Sequence, residues 1–180
     1  LLFLLAGCGQ KKESAEPSKD TTTEALQSTL PVLENANNNT VVTKTLVLPA
    51  DENGVQQTQT ITYKGKQFLT LTIQQKRQVS EDLKSFIAEH GLEEAKKALK
   101  EGEDKDESVQ EARKIPGFNI ETNLLSETEI ETKTSYDFQV LDVKKASESE
   151  YLKKVGLENL LKNEPEEYIE NRVASGATVQ

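Results

Sequence analysis

His90 is the chain's only histidine, so a two-histidine metal site is excluded and no Ser-His-Asp arrangement is recognisable. It stands before Gly91 at an expected helix end, which reads as a solvent-exposed capping residue. Asp104-Lys105-Asp106-Glu107-Ser108 imitates the opening of a calcium loop, where oxygen ligands recur at alternate positions. Such a loop needs Gly at position six and Glu at position twelve. Counted from Asp104, those places hold Val109 and Ile115, so the segment reads as a solvated acidic loop. Glu127, Glu129 and Glu131 recur at strand spacing, and clustered carboxylates do acid-base work where a pocket perturbs them. On a wet strand face their simpler role is solubility and edge protection. Tyr63, Phe68, Phe118, Tyr136 and Phe138 are the material of an apolar ligand cavity. In a chain with only 5% aromatic residues they are needed first for the core. Neither a glycine-rich phosphate loop nor a G-x-S-x-G or H-E-x-x-H motif occurs. The expectation is a non-enzymatic protein with no cofactor and no metal site.

The other singular residue is Cys8, which makes an internal disulfide and a C-x-x-C site impossible. It follows the apolar run Leu1-Leu-Phe-Leu-Leu5 and the small residues Ala6 and Gly7, and polar Gly9-Gln10-Lys11-Lys12 comes next. A short apolar segment closed by small residues is the end of a signal peptide. Leu5-Ala6-Gly7-Cys8 resembles the bacterial lipobox. That resemblance implies a diacylglycerol on the Cys8 sulfur, cleavage before it and loss of residues 1–7. Each buried methylene contributes about 0.8 kcal/mol, and two acyl chains hold where one would let go. The expectation is lipidation at Cys8 and anchoring to the extracytoplasmic face of a cell membrane.

Composition narrows the partners. A formal net charge of −9 argues against nucleic acid, which needs a basic stripe, and against electrostatic adsorption to anionic lipid. The apolar fraction of 34% is below the roughly 45–50% of an ordinary globular chain, so part of the length is expected not to fold. Residues 8–40, rich in Ser, Thr, Glu, Asn and Pro and without helical or strand period, read as a flexible, disordered N-terminal tether. Its root-mean-square span would be roughly 30 Å.

Residues 41–180 read as a single α+β domain. Strands are expected over Thr43–Leu48, Gln57–Tyr63 and Phe68–Ile73, joined by turns at Asn53-Gly54 and Lys64-Gly65-Lys66. In the third, alternation sets Leu69, Leu71 and Ile73 on one face and Phe68, Thr70 and Thr72 on the other. Ser80 caps a helix carrying Leu83, Phe86 and Ile87, and Leu92, Ala95 and Leu99 mark a second. An acidic break over Glu101–Glu107 precedes a turn or two of helix around Val109 and Ala112. Phe118–Leu124 and Thr128–Val143 resume the period of two, and the polar face of the latter marks an antiparallel sheet wetted on one side. Tyr151, Leu152, Val155, Leu157, Leu160 and Leu161 form one amphipathic helix, and Pro165 opens a last one through Arg172. The order gives about five antiparallel strands with helices on one face. The alternative is a small calycin-like β-barrel, whose one hint is the two-sided third strand.

The segments "QTITYKGKQFLTLTIQQK", "SEDLKSFIAEHGLEEAKKAL" and "IPGFNIETNLLSETEIETKTSYDFQVLDV" resemble the YehR-like lipoproteins of bacteria, a family of unknown function. Shared features are the lipobox, the "TYKG" hairpin and a Gly-aromatic strand after the helices. The departures are a longer tether and the acidic segment Glu101–Glu107. The resemblance implies no activity and no catalytic residues. The expected role is that of a bacterial cell-surface or envelope lipoprotein binding a macromolecular partner, a host factor or a cell-wall component, with adhesion as one form of it. The alternative is a carrier of a small hydrophobic or other small-molecule ligand.

Overall fold

Turn chemistry and alternation together build the first half of the sheet. In the computed structural model, which describes residues 39–154 and 156–180, β1 (Val41–Val47), β2 (Gln56–Lys64) and β3 (Gln67–Gln78) form an antiparallel meander. The Asp51 carboxylate accepts the N–H groups of Asn53 and Val55 at 2.8 and 2.9 Å, and Gly54 takes φ 74° to close the turn. Cys8, most of the tether and Val155 lie outside the described residues, so nothing in the structure bears on the anchor; Val41–Gln180 forms one unit.

The register between β2 and β3 shifts at Thr62/Tyr63: Thr62 faces Thr70, while Tyr63 faces Phe68. Leu69 is thereby extra, and a bulge of this kind re-aims the side chains beyond it. Phe68 turns to the Tyr63 side and packs on the core with Ile73, and Leu69 belongs to neither core cluster. The expected faces of Phe68 and Leu69 are therefore exchanged. Pure alternation cannot foresee this, because the slip is a property of the pair.

After β3 the chain leaves the sheet for α1 (Glu81–His90), α2 (Leu92–Lys105) and α3 (Glu107–Arg113). Ser80 caps α1 by accepting the Leu83 N–H at 3.3 Å. The expected acidic break is absent: α2 runs on to Lys105, and Asp106 alone separates it from α3. Glu and Lys are good helix formers, and the Asp106 carboxylate caps α3 as soon as α2 ends.

β4 (Phe118–Leu124) and β5 (Glu129–Asp137) return as a hairpin, and β5, not β4, pairs with β3. α4 (Val143–Glu148), α5 (Glu150–Lys154), α6 (Leu157–Leu161) and α7 (Pro165–Ala174) follow, then β6 (Thr178–Val179) beside β1. The single helix expected over Tyr151–Leu161 is two short ones, because Gly156 sits in the left-handed region at φ 79°. The strand expected to reach Val143 stops at Asp137; a turn at Phe138–Val140 and a cap at Asp142 start α4 instead.

The strand order is β4-β5-β3-β2-β1-β6, antiparallel at every junction. The fold is α+β, with a six-stranded sheet among the described residues rather than about five strands. It is open, its edges β4 and β6 at opposite ends, so the calycin-like barrel is ruled out. The helices cover one face. Leu46, Ile61 and Leu71 are fully buried there beneath Leu152, Leu157 and Ile169; burying one such side chain is worth about 1.5–3 kcal/mol. The register places a row of Thr45, Thr60, Thr72, Ser135 and Asn119 across the opposite face.

Candidate functional site

The helical face carries two cores rather than one. The larger gathers Ile61, Leu71 and Tyr136 under the C-terminal helices. The smaller joins Ile87 and Ala95 of the α1–α2 hairpin to Val79, Leu124 and Ile130. Beside the smaller core, between the hairpin and the sheet, lies a groove of about 790 Å³. Leu83 and Phe86 of α1 and Leu99 of α2 form its walls, and Ile120, Thr122 and Ile130 its floor. The apolar residues of α1 at i, i+3 and i+4 divide the work: Ile87 is buried in the small core while Leu83 and Phe86 line the opening. On α2, Ala95, Ala98 and Gly102 line the cavity, places where longer side chains would fill it.

One charged grip fixes the end of α2. Arg113 Nη2 lies 2.6 Å from Glu103 Oε1 and donates to the Ile120 carbonyl at 2.8 Å, and Nε donates to the same carbonyl at 3.1 Å. These side chains are only 22% and 13% exposed. Asp106, also lining the groove, accepts from Ser108 Oγ at 2.7 Å and from the N–H groups of Ser108 and Val109. The Ser108 hydroxyl, then the Val109 N–H, hold its carboxyl below the usual range. That is the reverse of what a general acid at neutral pH needs. Tyr151, near this corner, has its phenol pushed up by burial first and then by the charges of Glu103 and Asp106. With apolar walls and ionised groups beside them, the arrangement is suited to binding.

The residues singled out from the sequence fall elsewhere. His90 ends α1, its ring 4.5 Å from that of Phe86 and half exposed. Asp104 is helical and pairs with Arg113 at 3.4 Å, so Asp104 and Asp106 serve a clasp and a cap rather than a loop. Glu129 and Glu131 lie on the sheet face away from the helices, opposite Gln78 and Lys76, with Lys76 Nζ 3.8 Å from Glu129. Glu127 lies in the bend before β5, outside the strand that carries Glu129 and Glu131. Among the described residues no group of three or more His, Cys, Asp or Glu converges as a metal site.

The aromatics pack in the main core: Phe68 against Phe138 at 5.7 Å and Tyr168 at 6.0 Å, Tyr136 against Phe138 at 5.8 Å and Phe118 at 5.3 Å. Tyr63 donates to Glu166 at 3.4 Å. None of the five lines the groove; its aromatic is Phe86. Sequence reasoning treated Leu83, Phe86 and Leu99 as core stripe and passed over Ala98. Ala95, Ala98 and Gly102, small residues spaced three and four apart along the same side of α2 as Leu99, were the available signal.

No helix among the described residues is long and apolar enough to cross a membrane. No curated protein matches the chain. It is similar to the solution structure of a protein from Streptococcus pneumoniae TIGR4, at 67% identity over 79% of this chain and 86% of that one, with a TM-score of 0.73. The YehR protein of E. coli, also solved by NMR, aligns over 78% of this chain and 91% of its own at 19% identity and a TM-score of 0.49. A family model matches residues 41–172, nearly the whole described unit. The chain belongs to the YehR-like family, whose function is unknown.

Proposed function

We propose that this chain is a bacterial envelope lipoprotein, anchored through Cys8 at the extracytoplasmic face of the cell membrane. In this reading its folded unit works without catalysis, by binding a protein partner that seats apolar side chains in the α1–α2 groove. The observation that carries it is the groove itself: about 790 Å³ walled by Leu83, Phe86 and Leu99 on a hairpin fixed by the Arg113 clasp. The lipobox-like Leu5-Ala6-Gly7-Cys8 supports the anchor.

A second reading, a carrier of a free hydrophobic small molecule, draws on the same volume, which falls within the roughly 300–1,000 Å³ of small-ligand sites. A photo-crosslinking amino acid at Leu99 of the full chain, expressed in the parent bacterium, separates the two. A discrete protein adduct supports the partner reading, and a lipid-sized adduct supports the carrier. No adduct above that at an exposed control position such as Lys97 removes both. For the anchor, Cys8→Ser is expected to move the chain out of the membrane fraction; unchanged fractionation would end that part of the proposal.

A further inference from the structure

A second cavity, of about 350 Å³, lies between α6–α7 and the sheet, away from the groove. Its lining is of a different kind. Gln57, Gln59, Asn159, Asn163 and Asn171 bring carboxamides to it, Tyr136 a phenol and Arg172 a guanidinium, while among the described residues no carboxylate lines it. Leu71, Ile73, Leu157 and Leu160 supply apolar surface between them.

Two polar side chains here are almost completely buried. Gln59, 2% exposed, accepts from the Tyr168 hydroxyl at 2.8 Å and donates to Gln57 Oε1 at 3.0 Å, so it is held in place by the wall. Tyr136, 3% exposed, has no hydrogen-bond partner for its hydroxyl among the described residues, although its ring lines this cavity. Among the described residues no side-chain nitrogen or oxygen is both fully buried and unpartnered, so the Tyr136 hydroxyl keeps access to the open space beside it and is free to bond a ligand there. Burial, with the neighbouring Tyr151 and Tyr168, pushes its ionisation up, so at neutral pH it stays an O–H that both donates and accepts.

Carboxamides and a neutral phenol offer donors and acceptors together, which is what a hydroxyl requires of its partners. An anionic ligand would find one cation, Arg172, already placed over the Tyr168 ring at 5.0 Å from its centroid. A purely apolar ligand would leave the amides unpaired, at a cost. Alternating polar groups and apolar patches match the hydroxyl edge and C–H face of a pyranose.

We propose that the cavity between α6–α7 and the sheet binds a single uncharged sugar residue, with Tyr136, Gln57 and Asn159 reaching its hydroxyls. This site is separate from the groove and stands or falls independently of the function proposed above.

The test is a titration of the ¹⁵N-labelled full chain with D-glucose and with N-acetyl-D-glucosamine, up to about 50 mM, where even a millimolar complex is near saturation. Expected are saturable shifts clustered on β2 and α6–α7 for at least one of the sugars. Tyr136→Phe, which removes only an unpartnered hydroxyl and keeps the ring packing, is expected to weaken binding about three- to tenfold. Asn159→Ala, at an exposed position of α6, is the second variant and should weaken it similarly. No shift with either sugar overturns the proposal. So do shifts that map elsewhere, or a response to acetate and phosphate in place of sugar. Tyr136→Phe binding as tightly as the parent chain would remove Tyr136 from the site and with it the argument.

Discussion

Arg113 reaches across from α3 and holds two elements at once: Glu103 near the end of α2 at 2.6 Å and the backbone carbonyl of Ile120 on β4 at 2.8 Å. Breaking a largely buried ion pair by removing one partner strands the other, at a typical cost of about 3–5 kcal/mol when burial is complete. Arg113→Met should therefore lower stability by about 2–4 kcal/mol, and Glu103→Gln, which keeps an acceptor for the guanidinium, by about 1 kcal/mol. Urea denaturation of both variants checks this. An unchanged midpoint for Arg113→Met would show that the clasp is an ornament of the surface.

Because Ala98 is exposed and lines the groove, Ala98→Trp should fill the opening while leaving the fold intact, with a stability change within about 0.5 kcal/mol. Crosslinking from Leu99 should then fall severalfold. Undiminished adduct beside a bulky indole would place the occupant outside the groove.

Gly117 and Gly54 both take positive φ, at 83° and 74°, but in different surroundings. A Cβ on Gly117 would stand 2.5 Å from the Asp137 carbonyl oxygen and 2.7 Å from the Leu141 nitrogen, whereas one on Gly54 meets open space. Gly54→Ala should cost about 1–2 kcal/mol, the left-handed penalty alone. Gly117→Ala adds a backbone clash where β5 hands over to α4, and should cost clearly more. Thermal melts of the pair decide it: equal losses would mean that the close approach relaxes freely.

Tyr136 sets an alkaline limit. Its folded-state ionisation is raised above the ordinary 10.0, by burial first and then by Tyr151 and Tyr168. The unfolded chain therefore ionises first. The stabilising contribution is complete below pH 10 and is lost as pH rises from there through the folded-state value. Tyr136→Phe should flatten the fall in stability above pH 10, leaving a residual slope from Tyr151, whose ionisation is also raised. A titration of the urea midpoint from pH 8 upward, identical for both chains, would contradict this.

Local chemistry was legible and long-range geometry was not. Asn53-Gly54 and Lys64-Gly65-Lys66 announced the meander, and Ser80 announced α1, because each acts over a few residues. The bulge that turns Phe68 inward is decided by β2 against β3, and the two-residue β6 has meaning only beside β1. The same holds for the cavities. Leu83, Phe86 and Ala98 read as helix stripe, and only the separation of the two cores makes them walls. Tyr136 was legible as a core-facing aromatic, but its lack of a partner depends on what α6 and α7 do not bring to it.

The narrow strand β6 gives the fold a clock. Thr178 meets Val47 across 131 positions of chain, and Gln180 donates to the Thr45 carbonyl at 2.8 Å. A chain emerging from its N-terminal side completes β1, β2 and β3 early, yet the outer edge of β1 at Thr45–Val47 stays unpaired until residues 178–180 arrive. Throughout that interval β1 can recruit a strand from a neighbouring chain. Crowding during biogenesis, rather than instability of the finished molecule, is therefore the hazard that this topology carries.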